Sequence, residues 1–138
     1  MAKTSPVSVR LSPELLEEIE REARRTARPA SRVIQSVLKE GVRMRRCPGI
    51  VFTAGPTGRR ATVAGSGIDV WEVVRVYKSC KKGFAALSKA LPQLSRPQLE
   101  AALYYYGCYP DEIEDRLKGE EEAFGELPSR PFMRRFRV

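Results

Sequence analysis

Between residues 6 and 11 the chain reads Pro-Val-Ser-Val-Arg-Leu, so Val7, Val9 and Leu11 alternate with Ser8 and Arg10. A period of two puts the apolar side chains on one face and the polar ones on the other, and predicts a half-buried strand. Ser12-Pro13-Glu14 then opens a helix: Ser caps the free amides, Pro suits the first helical position, and Glu favours the positive end of the dipole. Leu15, Leu16, Ile19 and Ala23 form its apolar stripe, and Arg28-Pro29 breaks it before a second stripe of Val33, Ile34, Val37, Leu38 and Val42. Cys47-Pro48-Gly49 marks a joint. Beyond it, Ile50-Val51-Phe52 and Ala61-Thr62-Val63 flank a Gly/Pro-rich turn and predict a small hairpin. Asp69 and Glu72 are spaced as a capping box before Val70, Val73, Val74 and Tyr77. Gly83 separates this helix from Phe84, Ala85, Leu87 and Leu91, which Pro92 ends. Ser95 and Gln98 repeat the capping-box spacing before Leu99, Ala102, Leu103 and Tyr106. Pro110-Asp111-Glu112 opens a last short helix with Ile113 and Leu117. The fold class expected is mainly α. A strand and two helices occupy 1–46, a hairpin plus a helix-turn-helix-like bundle 47–118, and a flexible arm 119–138, whose first half reads as an exposed linker.

One strand and two helices in about 45 residues cannot bury enough surface to fold alone. A lone strand also leaves its backbone donors and acceptors unpaired. Two copies that pair their strands antiparallel and pack four helices together solve both problems. The product is an intertwined homodimer whose two-stranded ribbon has one polar face outward, narrow enough for a DNA major groove.

Charge strengthens that picture. The 138 residues carry 25 Lys+Arg and 17 Asp+Glu, a net charge of +8, which suits a polyanionic partner. There is no His, which removes the common general base and the common zinc ligand. Cys47, Cys80 and Cys108 are scattered, so neither a metal site nor a disulfide framework is expected. With no secretory leader and no apolar run of membrane-spanning length, a cytoplasmic protein without membrane contact is expected. Asp111, Glu112, Glu114 and Asp115 form a dense acidic group, but on a helix they do not all face one site. No enzyme and no cofactor are expected.

The segment PVSVRLSPELLEEIEREARRTARPASRVIQSVLKEGV resembles a ribbon-helix-helix DNA-binding domain of the MetJ/Arc kind, over about residues 5–45. That resemblance implies base contacts from Ser8 and Arg10. It also implies a phosphate held at the start of the second helix by Ala30 and Ser31, flanked by Arg28 and Arg32. Pro6, which has no amide proton to give a base, stands at the outer strand position.

CPGI at 47–50, AGSGIDVWEVV at 64–74, LPQLSRPQLEAALYYY at 91–106 and YPDEIEDRL at 109–117 resemble the domain of unknown function numbered 433, regarded as an antitoxin family. Cys47, Ala64 and Gly67 depart from its usual residues. The resemblance implies an antitoxin of a type II toxin–antitoxin pair. It would repress its own promoter and neutralise a PIN-like ribonuclease, whose carboxylates bind magnesium. The aromatic and basic end of the chain is the matching arm: Phe132, Met133 and Phe136 as anchors, with Arg134, Arg135 and Arg137 meeting those carboxylates. The alternative is a stand-alone ribbon-helix-helix repressor whose second module senses a ligand or a protein.

Overall fold

The computed structural model describes residues 4–56 and 58–126, with side chains as far as Ala123. It divides into two units, Met1–Arg43 and Met44–Val138.

In the first unit, α1 spans Pro13–Thr26. Ser12 Oγ accepts from the Leu15 amide at 3.2 Å, the expected N-cap. The helix stops at Ala27, whose φ of 54° is left-handed. There the Arg28 amide reaches back to the Ala23 carbonyl at 3.0 Å, satisfying an orphan acceptor of the last turn. The second helix, α2, spans Ala30–Arg46. Residues 4–12 form neither helix nor strand. The expected strand over 6–11 is therefore not formed within a single chain. A strand exists only when paired, and the two strands the structure does contain follow α2 and pair with each other.

Those strands are β1 (Ile50–Gly55) and β2 (Gly58–Val63), antiparallel with Ile50 opposite Val63 and Gly55 opposite Gly58. The loop before β1 lies against a helix. Gly49, at φ +92°, comes so close that an added Cβ would meet the Ala101 Cβ at 3.1 Å. Four helices complete the second unit: α3 (Val70–Ser79), α4 (Phe84–Ala90), α5 (Arg96–Cys108) and α6 (Pro110–Glu126). The α3 helix is central and packs on β2, α4, α5 and α6. Its Val70, Val73 and Val74 are fully buried with Val63, Leu87, Leu99, Ala102 and Tyr105, while Tyr77 is only half-buried.

Two capping features act as the spacing predicts. The Asp69 amide donates to Glu72 Oε2 at 2.8 Å. The Ser95 amide donates to Gln98 Oε1 at 2.8 Å, while Ser95 Oγ accepts from the Gln98 amide at 3.3 Å.

Two expectations need correction. The last helix is not short and does not end before a linker: α6 continues through 119–126. Arg116 pairs with Glu120 one turn on at 3.0 Å, and α6 rests on α3 and α5, which offsets the helix-breaking tendency of Gly119. On α5 Leu99 and Ala102 are buried as expected, but Tyr105 completes the buried face, while Leu103 and Tyr106 are only half-buried. The helix is covered by the hairpin, α3 and α6 at once, so its buried surface is broader than a single stripe. Among the described residues no helix is long and apolar enough to cross a membrane.

Candidate nucleic-acid interface

Among the described residues of the first unit one hydrophobic side chain is fully buried, Val33. Most of the residues that the period-2 and helical patterns assign to its apolar faces are open: Val7 is 82% exposed, Val9 70%, Val37 57%, Leu38 61% and Val42 62%, with Leu15 and Leu16 also exposed, while Leu11, Ile19, Ala23 and Ile34 are half-buried. An amphipathic helix pair that buries so little of its apolar surface has only a small core of its own. By contrast the second unit buries a continuous core running from Cys47 to Leu117.

Every DNA-reading residue expected from the sequence belongs to the first unit. Ser8 and Arg10 lie, exposed, in the segment before α1. Arg28, Ala30, Ser31 and Arg32 gather at the start of α2, with Ala30 half-buried and the other three exposed. No hydrogen bond or ion pair links the two groups among the described residues. Arg10, Arg28 and Arg32 make no ion pair there either, whereas on α1 Arg21 and Arg25 are taken up by Glu17 and Glu22.

The start of α2 is chemically suited to an anion. Pro29 gives its carbonyl to the Arg32 and Val33 amides at 3.0 and 3.2 Å. It carries no side-chain acceptor to cap the amides of Ala30 and Ser31 in the first turn, and Ser31 is exposed. Unpaired amides, a helix dipole and flanking guanidiniums attract a phosphate.

The toxin-binding residues expected from the sequence, Phe132, Met133, Arg134, Arg135, Phe136 and Arg137, lie outside the described residues.

In the second unit the acidic group at the start of α6 is dispersed by its partners. Glu112 takes the buried Tyr105 hydroxyl. Glu114 takes both the Lys78 ammonium and the Tyr106 hydroxyl, which hold its carboxyl below the usual range. Asp69 has a role that the capping pattern did not reveal. Only 5% exposed, it receives Arg60 Nε at 2.9 and 2.8 Å on its two oxygens, Trp71 Nε1 at 3.0 Å and Thr62 Oγ1 at 3.2 Å. One carboxylate thus ties β2 to the first turn of α3. No disulfide joins the three cysteines among the described residues; Cys47 is buried, and Cys80 and Cys108 are half-buried. Cys47 is a core residue.

No protein-family profile, curated protein or solved structure matches the chain.

Proposed function

We propose that this chain is a homodimeric DNA-binding repressor of the ribbon-helix-helix kind and serves as the antitoxin of a toxin–antitoxin pair. The observation that carries the first half of this reading is the uncovered apolar surface of the first unit. Val7 and Val9 alternate with Ser8 and Arg10, and Leu15, Leu16, Val37, Leu38 and Val42 stand exposed on helical stripes. A second copy supplies what is missing: a strand for residues 6–11 and a partner face for α1 and α2. An isologous interface of this type uses each apolar side chain twice. The ribbon so formed turns Ser8 and Arg10 outward from both copies, into a major groove, while the bare α2 amides and Arg28, Ser31 and Arg32 meet the flanking phosphates.

Arg10 supplies the test. A guanidinium that makes a bidentate pair with guanine contributes about 1–3 kcal/mol of discrimination. Arg10→Ala is expected to weaken binding to the upstream operator by roughly tenfold or more, with little loss on random duplex, in a parallel anisotropy titration at fixed salt. Equal loss on both would make Arg10 a phosphate contact and remove it from sequence reading.

The antitoxin half rests on the sequence resemblance of the second unit and on the aromatic and basic end of the chain. An arginine seated among magnesium-binding carboxylates would displace the ion and silence a nuclease. Removing residues 128–138 is expected to abolish inhibition of the cognate ribonuclease while leaving operator binding intact. Full inhibition by the shortened chain would overturn the masking role of the arm.

A further inference from the structure

Ile113 and Leu117 fix the buried side of α6. Asp111, Asp115, Lys118 and Glu122 recur at intervals of four, three and four residues, so they share one stripe on the opposite side. Three of the carboxylates of this helix are already taken: Glu112 by Tyr105, Glu114 by Lys78 and Tyr106, and Glu120 by Arg116. Asp111, Asp115, Glu121 and Glu122 are exposed and make no ion pair among the described residues. We propose that this outward face of α6 is the docking surface for the chain's own arm, with Arg130 against Glu122 and Arg134 or Arg135 against Asp115. The arm is then held until a more acidic partner takes it, a regulatory role that rests on the nuclease reading above.

The C-terminal end of α6 runs against its own dipole. A helix C-terminus favours cations and disfavours carboxylates. Here the last turn holds no basic residue, and Glu120, Glu121, Glu122 and Glu126 crowd towards the negative pole. Gly125 weakens the end further. Burial does not compensate, since Glu121, Glu122 and Ala123 are all exposed. A cation arriving from beyond residue 126 removes the conflict.

Residues 127–138 supply that cation. They carry Arg130, Arg134, Arg135 and Arg137 with no acidic side chain, and they follow α6 directly. The lengths agree. At a rise of about 1.5 Å per helical residue, Glu122 lies about 6 Å and Asp115 about 17 Å back from residue 126. At about 3.3 Å per extended residue, Arg130 reaches about 13 Å and Arg134 about 26 Å, enough to turn and return along the stripe. Pro128 and Pro131 have no amide proton with which to prolong the helix. Lys118 stands between Asp115 and Glu122, which favours arginines landing on either side of it. Each exposed ion pair is weak, but tethering gives the arm a high effective concentration at this face.

Trypsin cuts after arginine, so its initial rates within the arm of the full chain, read by mass spectrometry, report docking. At about 20 mM NaCl the parent arm is expected to be cut about five- to tenfold more slowly than a free peptide of residues 127–138, and at about 500 mM nearly as fast, because salt screens exposed pairs. Asp115→Asn/Glu121→Gln/Glu122→Gln should be cut at the peptide's rate in both. All three changes fall on exposed side chains, and Trp71 emission reports whether the unit stays folded. Equal rates for parent, variant and peptide overturn the proposal. Protection that the variant keeps overturns it too, by placing the arm on another surface. So does protection that grows with chain concentration, which assigns the face to a second copy's arm. On the nuclease reading the variant should bind the ribonuclease about five- to tenfold more tightly, because no arm has first to be released; unchanged affinity overturns the regulatory role. The two readings fail separately. If the arm is protected as expected while loss of residues 128–138 leaves nuclease inhibition intact, the docking stands and the masking role falls. If that loss abolishes inhibition while the parent arm is cut as fast as the peptide, the reverse holds.

Discussion

Val9→Asp is expected to convert the protein from a dimer to a monomer at tens of micromolar, as read by sedimentation equilibrium, and to abolish operator binding with it. Val9 is 70% exposed in the single chain and occupies the centre of the alternating segment. Covering a valine contributes about 1.5–3 kcal/mol, and a two-fold interface counts it twice. The loss is therefore about 3–6 kcal/mol before the cost of burying two carboxylates, or roughly 10²–10⁴-fold in the dimer constant. The second unit should keep its thermal transition, because its core contains no residue of 6–11. A variant that remains dimeric with unchanged affinity would show that residues 6–11 are not the interface, and the ribbon reading would fall.

Asp69→Ala is expected to have the largest effect on the second unit. It strands the Arg60 guanidinium, the Trp71 indole N–H and the Thr62 hydroxyl at once. Removing one partner of a buried ion pair typically costs 3–5 kcal/mol. Arg60 keeps about 30% of its side chain in solvent, which places the expected loss near the lower end, about 3 kcal/mol. For a unit of this size that lowers the melting temperature by roughly 12–24 °C. Asp69→Asn, which keeps one acceptor, should lose less. Trp71 is the sole tryptophan, so its emission follows this unit alone. A loss below 1 kcal/mol for Asp69→Ala would mean that the carboxylate is a cap and no more.

These two residues also show what the amino-acid pattern discloses and what it hides. Local chemistry was readable. The Ser12 cap, the break at Arg28-Pro29, the hairpin around Gly55–Gly58 and the paired capping of Ser95 and Gln98 are each written within four or five consecutive positions. The core face of α3 followed from valine spacing alone. Asp69 was readable as a helix start, because its partner Glu72 is three residues away. Its contacts with Arg60 and Thr62 were not, because they depend on the chain doubling back through the Ser66 turn until Thr62 lies beside Asp69. The length of α6 was hidden for a related reason. Gly119 and Gly125 weaken helix locally, and the packing on α3 and α5 that overrides them is invisible in a window of a few residues.

Val33 as the one fully buried side chain among the described residues of the first unit has a kinetic corollary. A nascent polypeptide can complete its C-terminal half unaided, in a step whose rate ignores how many siblings surround it. Its N-terminal half must await a collision, so on the homodimer reading its maturation is bimolecular and fails on dilution. Until that encounter Val7, Val9, Val37, Leu38 and Val42 would stay in solvent, so on the same reading the share of finished molecules would rise with the abundance of the chain.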